Sequence, residues 1–209
     1  MAILRRASST RKVELADAAL HIIATKGIAA LSTRSVAEQV GLSSGAMFRH
    51  FATVDALLDA VAVRVDSVLD ATFPPADLPA RDRLERFIEA RSSAVGAQLG
   101  IMRLVVSEQF FLSLPPDASS RLAACVRKSR AFVVACLREG QEAGDFRRDI
   151  DAEALSVVVV GTIRMLALSA SPRSSRSPGR TEGASVRAAL FALLAPACAA
   201  SRKPRGRPP

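Results

Sequence analysis

The sequence predicts an all-α protein. Alanine, leucine and arginine are abundant, 49% of the 209 residues are hydrophobic, and tyrosine and tryptophan are absent. The alternation of apolar and polar residues that marks a half-buried strand is missing. A chain of this length and apolar content can bury one sizeable hydrophobic core or two small ones.

The first helix is predicted from Thr10 to Lys26. Its apolar residues recur at helical spacing, at Leu15, Ala19, Ile22 and Ile23. A basic last turn followed directly by Gly27 is typical of a helix end. The apolar stretch at the start, MAILRRASSTRK, is far too short for a signal peptide, so we expect a cytoplasmic protein.

Residues 32–51, STRSVAEQVGLSSGAMFRHF, predict two short helices joined by a glycine turn. One face of each helix is apolar, with Val36, Ala37 and Val40 in the first and Leu42, Met47 and Phe51 in the second. Gly41 separates the two runs, because the position after a helix end often takes a left-handed backbone that glycine adopts without steric cost. Ala37 is small enough for the second helix to cross closely over the first.

The outward residues of the second helix suit DNA recognition. They are mostly short and include one strong cation, and they are Ser43, Ser44, Gly45, Ala46, Phe48, Arg49 and His50. A helix with such a surface fits a major groove about 12 Å wide. Two helices joined by a glycine turn also occur as ordinary packing in all-α proteins. The upstream helix favours the DNA-binding interpretation, because it completes a three-helix unit.

The stretches ADAALHIIATKGIAALSTRSVAEQVGLSSGAMFRHF and VDALLDAV closely resemble the amino-terminal pattern of the TetR family of one-component transcriptional regulators. The resemblance covers residues 10–62. It implies that Ser32 caps the second helix and that Arg34 approaches the DNA. It also implies groove and phosphate contacts at Ser43, Ser44, Gly45, Phe48, Arg49 and His50.

Four positions depart from the family pattern. Ser44 stands where lysine is frequent in the family, and Ala46 stands where threonine is frequent. Phe48 replaces a common tyrosine, and Val54 replaces a common lysine. Each replacement removes a donor that could reach a phosphate. We therefore expect this unit to bind DNA more weakly than a typical relative.

Six further helices are predicted beyond this unit. Thr53 caps the fourth helix, which ends near Phe73 before two prolines, and Asp151 caps the eighth, which reaches Ser169. The others span 80–98, 101–114, 117–143 and 184–200, and 170–183 is predicted to be a loop. The predicted organisation is a helix-turn-helix DNA-binding domain over 1–52, a larger helical effector-binding and dimerisation domain over 53–200, and a basic disordered tail over 201–209.

Two of these helices predict a homodimer. Residues 154–170 and 184–200 carry one charge each, and helices that are apolar nearly all round must be buried or span a membrane. A bilayer needs about 20 apolar residues, and these shorter segments contain an arginine, so we expect no membrane span. Burial at a subunit interface is the better interpretation, and the TetR resemblance implies dimerisation through the last two long helices. The run Val157–Val160 alone could indicate a strand, but its flanks favour a helix.

The excess of positive charge lies at the carboxyl end of the chain. Residues 170–209 hold eight Lys or Arg and one Glu, whereas residues 61–169 hold fourteen of each sign. A disordered tail that contacts phosphates without specificity is one interpretation. The other is an AT-hook, since KPRGRP contains an Arg-Gly-Arg-Pro core in which Arg205 and Arg207 would read an A·T-rich minor groove about 6 Å wide.

No catalytic, cofactor or metal site is predicted. HxxxH, CxxC, phosphate-loop and nucleophile-elbow motifs are absent from the sequence. Cys125 and Cys136 would lie about 16 Å apart on one helix, which is too far for a disulfide. With Cys198 they are expected to be buried apolar side chains, and a redox sensor is the alternative.

The predicted function is a repressor that binds a palindromic double-stranded DNA operator as a homodimer and dissociates when a small apolar effector binds. Candidate effector contacts are bulky apolar residues on helices that the resemblance places around a cavity, namely Phe87, Met102, Phe110, Phe111, Phe132 and Met165. One alternative is an architectural DNA-binding protein that uses the tail and has no effector. Another is a catalytic small-molecule binder that has kept the fold.

Overall fold

The computed structural model describes residues 2–97, 101, 108–169 and 180–196. Within these residues the chain forms α-helices and no strand, which confirms the all-α prediction. The helices are α1 (Ala2–Lys26), α2 (Thr33–Gln39), α3 (Ser44–Phe48), α4 (Val54–Asp70), α5 (Ala80–Ala97), α6 (Glu108–Leu112), α7 (Pro116–Ala143), α8 (Ala152–Ser169) and α9 (Arg180–Leu194). A 3-10 turn, Ile28–Ala30, joins α1 to α2.

The predicted caps of α4 and α8 are present. The Thr53 hydroxyl accepts a hydrogen bond from the Ala56 amide at 3.1 Å, and the Asp151 carboxylate accepts one from the Ala154 amide at 2.8 Å. Each cap satisfies an amide that the start of a helix leaves unpaired. At the carboxyl end of α7, Gly144 adopts a left-handed backbone with φ 87° and ends the helix.

Three helices differ in extent from the prediction. α1 begins at Ala2 rather than Thr10, because neither proline nor glycine interrupts its sequence. α9 begins at Arg180, inside the segment predicted as a loop. A helix can begin there because Pro178, the last proline of that segment, comes before it. α6 covers only part of the predicted sixth helix, of which residues 102–107 lie outside the described chain.

Two hydrophobic clusters form the core. The first combines α1 to α4 with α6 and the first half of α7, and its buried members include Leu15, Val36, Met47, Leu57, Val61 and Leu122. The second combines α5, the second half of α7, α8 and α9, and includes Leu84, Phe87, Leu137, Val159 and Leu190. The first cluster crosses the predicted domain boundary at residue 52. The three-helix unit and α4 therefore share one core.

A close contact at Gly140 fixes the turn after α7. The buried ring of Phe146 lies against this glycine, and a β-carbon built on Gly140 would come within 2.2 Å of the Phe146 Cδ2 atom. The chain can fold back over α7 because position 140 has no side chain. The amide of Arg147 then donates to the carbonyl of Leu194 at 2.8 Å, which ties the end of α9 to this turn.

The two described cysteines are buried free thiols, as predicted. Cys125 and Cys136 are 3% and 0% exposed, and burial raises the pKa of both thiols, that of Cys136 to about 11. A buried thiol with a raised pKa is a poor nucleophile near neutral pH, which argues against the redox-sensor alternative for these two residues. Cys198 lies outside the described residues.

Candidate DNA-binding surface and effector cavity

Ser32 and Ser35 form a capping box at the start of α2. The Ser35 amide donates to the Ser32 hydroxyl oxygen, and the Ser32 amide donates to the Ser35 hydroxyl oxygen, both at 3.0 Å. Ser35 also donates to the Ala30 carbonyl at 2.9 Å, which ties α2 to the preceding turn. The predicted cap at Ser32 is confirmed, and its hydrogen bonds with Ser35 stabilise the start of α2.

A glycine turn sets the angle between α2 and α3. Gly41 has a φ of 69°, a left-handed backbone that residues with a β-carbon adopt only with strain. The Leu42 amide donates to the Ala37 carbonyl at 2.8 Å, so the chain reverses directly after α2. Ala37 is 1% exposed at this reversal, which agrees with the predicted close crossing of the two helices.

α3 presents a short polar and aromatic surface. Its amino end is capped by Ser43, whose hydroxyl accepts a hydrogen bond from the Ala46 amide at 3.2 Å. The exposed residues are Ser43, Ser44, Gly45, Phe48 and Arg49. Ala46 and His50 are half-buried, so each presents only part of its surface outward. The reason is that α3 ends at Phe48, and the His50 amide donates to the Met47 carbonyl at 2.9 Å, so the chain turns back toward the core.

Arg34 and Lys12 add positive charge to the three-helix unit. Arg34 is on the surface of α2, with Nε 2.9 Å from Oε1 of Glu38, and this hydrogen bond raises the pKa of Arg34. An exposed ion pair one helical turn apart is weak, so a phosphate can replace Glu38 at little cost. Lys12 of α1 lies over the ring of Phe51, with Nζ 5.7 Å from the centroid. It adds a positive charge beside the end of α3 that the sequence analysis did not assign.

A cavity of about 370 Å³ lies between α4, α5, α7 and α8. Its apolar lining consists of Leu69, Phe87, Cys125, Val126, Val157, Val160, Gly161 and Ile163. Its polar lining consists of Arg91, Ser129, Arg130, Ser156 and Arg164, and among the described residues no acidic side chain joins them. The volume is within the range of small-molecule binding sites.

Four of the predicted effector contacts are phenylalanines, and only one lines this cavity. Phe87 does so, and Phe132 packs behind it with the two ring centroids 4.8 Å apart. Phe110 is buried in the first cluster and Phe111 packs against that cluster, and neither is among the residues that line the cavity. Phe87 thus contributes to one wall of the cavity, and the other three phenylalanines lie outside its lining.

The remaining predicted site residues lie elsewhere. Met165 is 62% exposed and lies outside the cavity lining, because it is two residues, or about 200° around α8, from the buried Ile163. Met102 lies outside the described residues, as do Arg205 and Arg207 of the proposed hook.

Arg91 is the most enclosed charged residue of the cavity, with 4% of its surface exposed. Its guanidinium carbon lies 4.9 Å from the ring centroid of Phe87 and 5.5 Å from that of Phe73. Its Nη2 donates to the Ser129 hydroxyl at 2.9 Å, and its Nε has no hydrogen-bond partner among the described residues. Burial lowers the pKa of Arg91, because an apolar surrounding disfavours the charged form.

Arg91 is absent from the predicted effector contacts because these are all bulky apolar residues. A signal was available, since Leu84, Phe87, Ile88 and Arg91 follow the i, i+3, i+4, i+7 spacing of one helix face. Arg91 therefore occupies the apolar face of α5. A charged residue at such a position is either buried with a partner or placed in a cavity.

The chain matches two family models, described as "Bacterial regulatory proteins, tetR family" over residues 15–61 and "Tetracyclin repressor-like, C-terminal domain" over residues 111–181. It belongs to the TetR family. Among TetR-like relatives, the HTH-type transcriptional repressor KstR2 of Rhodococcus jostii (strain RHA1) is 26% identical over 151 residues, which are 69% of this chain and 72% of the relative.

Solved structures agree with the TetR assignment. A bacterial regulatory protein in the tetR family from Rhodococcus RHA1 has a TM-score of 0.72 at 25% identity, with 90% of this chain and 98% of that chain covered. The ketosteroid transcriptional regulator KstR2 of Mycobacterium tuberculosis shares the fold, with a TM-score of 0.71 at 23% identity and 88% and 95% of the two chains covered. Together with the two family models, the fold makes the chain a DNA-binding transcriptional regulator.

The four unusual residues of this TetR DNA-binding unit are mostly on its surface. Ser44 is exposed, and Phe48 and Val54 are 54% and 38% exposed, whereas Ala46 is half-buried. At the three exposed positions a lysine or tyrosine could reach a phosphate, and the residues present offer at most a short hydroxyl. Weaker phosphate binding by this unit stays a prediction.

Proposed function

We propose that this TetR-family regulator is a homodimeric repressor of a palindromic operator, and that a small, mainly apolar effector in the cavity releases it from DNA. The observation that carries the proposal is the position of α4. Leu57 and Leu58 near its start pack in the core shared with α1 to α3, whereas Leu69 in its last turn lines the cavity. A ligand that displaces the end of α4 would therefore also move the DNA-binding unit.

Contacts at the end of α4 support this coupling. Lys128 of α7 has its Nζ 2.7 Å from Oδ1 of Asp70, and this hydrogen bond raises the pKa of Lys128. The same ammonium group lies 4.9 Å from the ring centroid of Phe73. Since α7 forms another wall of the cavity, movement of α7 around a ligand would pass to α4. The effector can release DNA only if it binds the DNA-incompetent arrangement more tightly than the DNA-bound one.

The proposed dimer interface is the exposed apolar face of α8 and α9. Val157, Val158 and Met165 of α8 are 61%, 49% and 62% exposed, and Leu193 of α9 is 61% exposed. No helix in the described ranges is long and apolar enough to cross a membrane. Large apolar side chains exposed on two helices that contact each other are typical of a protein interaction site, and a second copy of the chain is the proposed occupant. A twofold dimer would need its α3 helices about 34 to 36 Å apart to enter successive major grooves.

Footprinting on DNA upstream of the protein's own gene tests the proposal. We expect protection of two half-sites related by twofold symmetry, with centres about 10 base pairs apart or a multiple of that distance. Arg49→Ala should weaken the footprint, whereas Arg127→Ala, an exposed arginine of α7 outside the cavity lining, should leave it unchanged. Protection of a single asymmetric site, or equal protection of random DNA, would contradict the proposal.

A further inference from the structure

We infer that the ligand of the cavity is an amphipathic anion, a mainly apolar body with one carboxylate, sulfonate or phosphate group that pairs with Arg91. The inference rests on the proposed function for its link to DNA release, whereas the ligand class follows from the cavity alone. It narrows the predicted small apolar effector to compounds with one negative group.

Arg91 is a buried charge to which no described residue offers an anionic hydrogen-bond partner. It is 4% exposed, and within the described chain its side-chain hydrogen-bond partners are the neutral Ser129 hydroxyl and the Cys125 thiol. Asp70 exerts a favourable charge effect on Arg91, but its carboxylate is hydrogen-bonded to Lys128 at 2.7 Å. A buried guanidinium without a counter-ion destabilises a protein. An anion supplied by a ligand would remove that penalty, so charge pairing here is worth more than at an exposed arginine.

Neutral groups hold the guanidinium in place for such an anion. The rings of Phe87 and Phe73 lie 4.9 and 5.5 Å from its carbon atom. Ser129 accepts from Nη2 and donates its own hydroxyl hydrogen to the Cys125 carbonyl, each at 2.9 Å, so its orientation is fixed. The Nε–H has no partner in the part of the chain that the structure describes, and it belongs to the donor fork with which arginine binds a carboxylate or phosphate through two parallel hydrogen bonds.

The rest of the cavity suits the apolar body of the molecule. Leu69, Val160 and Ile163 supply apolar walls. Arg130 and Arg164 are exposed residues of the same lining and add positive potential, with no acidic residue among the described lining residues to offset it. A neutral ligand of the same shape would shield Arg91 further from water without supplying a charge. It should therefore bind less tightly than the anion.

A matched pair of fluorescent probes tests the inference. Anilinonaphthalene sulfonate and its uncharged parent, phenylnaphthylamine, share a ring system and differ by the sulfonate, and both brighten in apolar surroundings. Titration of the full chain should show the sulfonate binding at least about tenfold more tightly. Arg91→Met should remove this preference and Arg91→Lys should keep part of it. Arg127→Met, which changes an exposed arginine outside the lining, should leave the preference intact.

Thermal unfolding separates a ligand role from a structural one. Arg91→Met should leave the Tm of the unliganded protein unchanged or higher, because it removes an unpaired buried charge. A merely structural Arg91 predicts a lower Tm and an unchanged probe preference. Equal affinity of the wild-type protein for the two probes, or a sulfonate preference that survives Arg91→Met, would overturn the inference. If Arg91→Met does not fold, the titrations of the wild-type protein and of Arg91→Lys still test the inference.

Operator release is measured separately with the same sulfonate. Displacement of wild-type protein from DNA, lost in Arg91→Met, would support both the anion site and the effector response. Binding of the sulfonate that depends on Arg91 but does not displace the protein from DNA would contradict the effector response in the proposed function. That outcome would still support the anion site. Failure of the effector response can therefore be distinguished from failure of the anion site.

Discussion

Both carboxylate oxygens of Asp17 accept hydrogen bonds from Arg64, at 2.7 Å from Nε and 3.2 Å from Nη2. The two residues are on α1 and α4, so this bidentate pair joins the first helix of the DNA-binding unit to the helix that reaches the cavity. The side chains are 25% and 43% exposed for Arg64 and Asp17. A pair this accessible adds little stability, but its geometry fixes how α1 sits on α4.

Removing this pair should weaken operator binding more than it weakens folding. Arg64→Leu should lower operator affinity by about 0.5 to 2 kcal/mol, because the DNA-binding unit loses its fixed orientation on α4. The free energy of unfolding should change by no more than about 1 kcal/mol. Arg138→Leu removes an exposed ion pair with Glu153 between α7 and α8 and serves as the matched control. Equal operator affinity of the two variants would show that the Asp17 pair has no orienting role.

Arg49 is expected to read a base. It is the strong cation on the exposed surface at the end of α3. Arg49→Ala should cost about 1 to 3 kcal/mol of operator binding, because arginine can bind guanine through two hydrogen bonds, and thermal unfolding should be unchanged. Titrations with operator and random DNA distinguish the possibilities. An equal loss on both would assign Arg49 to a phosphate contact instead.

The contact between Gly140 and Phe146 should make position 140 intolerant of any side chain. Gly140→Ala should destabilise the protein by about 1 to 3 kcal/mol, because the new methyl group overlaps the buried Phe146 ring. Gly183→Ala is the control, since its nearest neighbour is the flexible end of Arg187 at 3.6 Å and alanine favours a helix. Chemical denaturation should show a loss for the first variant and no loss for the second. Equal stability of the two would mean that the ring moves freely.

Gly161 of α8 should report on the subunit interface. Gly161 also lines the cavity, and a β-carbon built there meets no atom within 4 Å, so the first carbon of a larger side chain has open space within a single subunit. Gly161→Leu should nevertheless weaken the dimer by about 1 to 3 kcal/mol through overpacking against the partner, and operator binding should fall with it. Sedimentation across a range of concentrations measures this effect. A full dimer with unchanged affinity would place the interface elsewhere.

The basic tail is expected to compensate for the missing phosphate donors of the DNA-binding unit. Its cations are Arg202, Lys203, Arg205 and Arg207. Deletion of residues 201–209 should flatten the slope of log affinity against log salt by roughly two to four units per subunit, because each phosphate contact adds about 0.9. A minor-groove hook also predicts a larger loss at A·T-rich flanks than at G·C-rich flanks. An unchanged slope after truncation would show that the tail is solvated and makes no contact with DNA.

The DNA-binding unit could be predicted from the sequence because its features depend on near neighbours in the chain. The cap at Ser32 is formed with Ser35, three residues on, and the turn at Gly41 needs only a left-handed backbone. Helical spacing alone places Val36 and Met47 on buried faces. The same local reasoning correctly located the caps of α4 and α8.

Only the tertiary structure decided which residues meet at the cavity. Leu69, Arg91 and Ser129 come from three helices, and α8 supplies a fourth wall. Periodicity shows which face of a helix is apolar, but it does not show which helices pack together or how each is rotated about its own axis. That rotation leaves Met165 exposed and places Arg91 in an enclosed position beside two aromatic rings. The sequence thus determined the fold class and the DNA-binding unit through short-range geometry, whereas long-range packing decided the chemistry of the cavity.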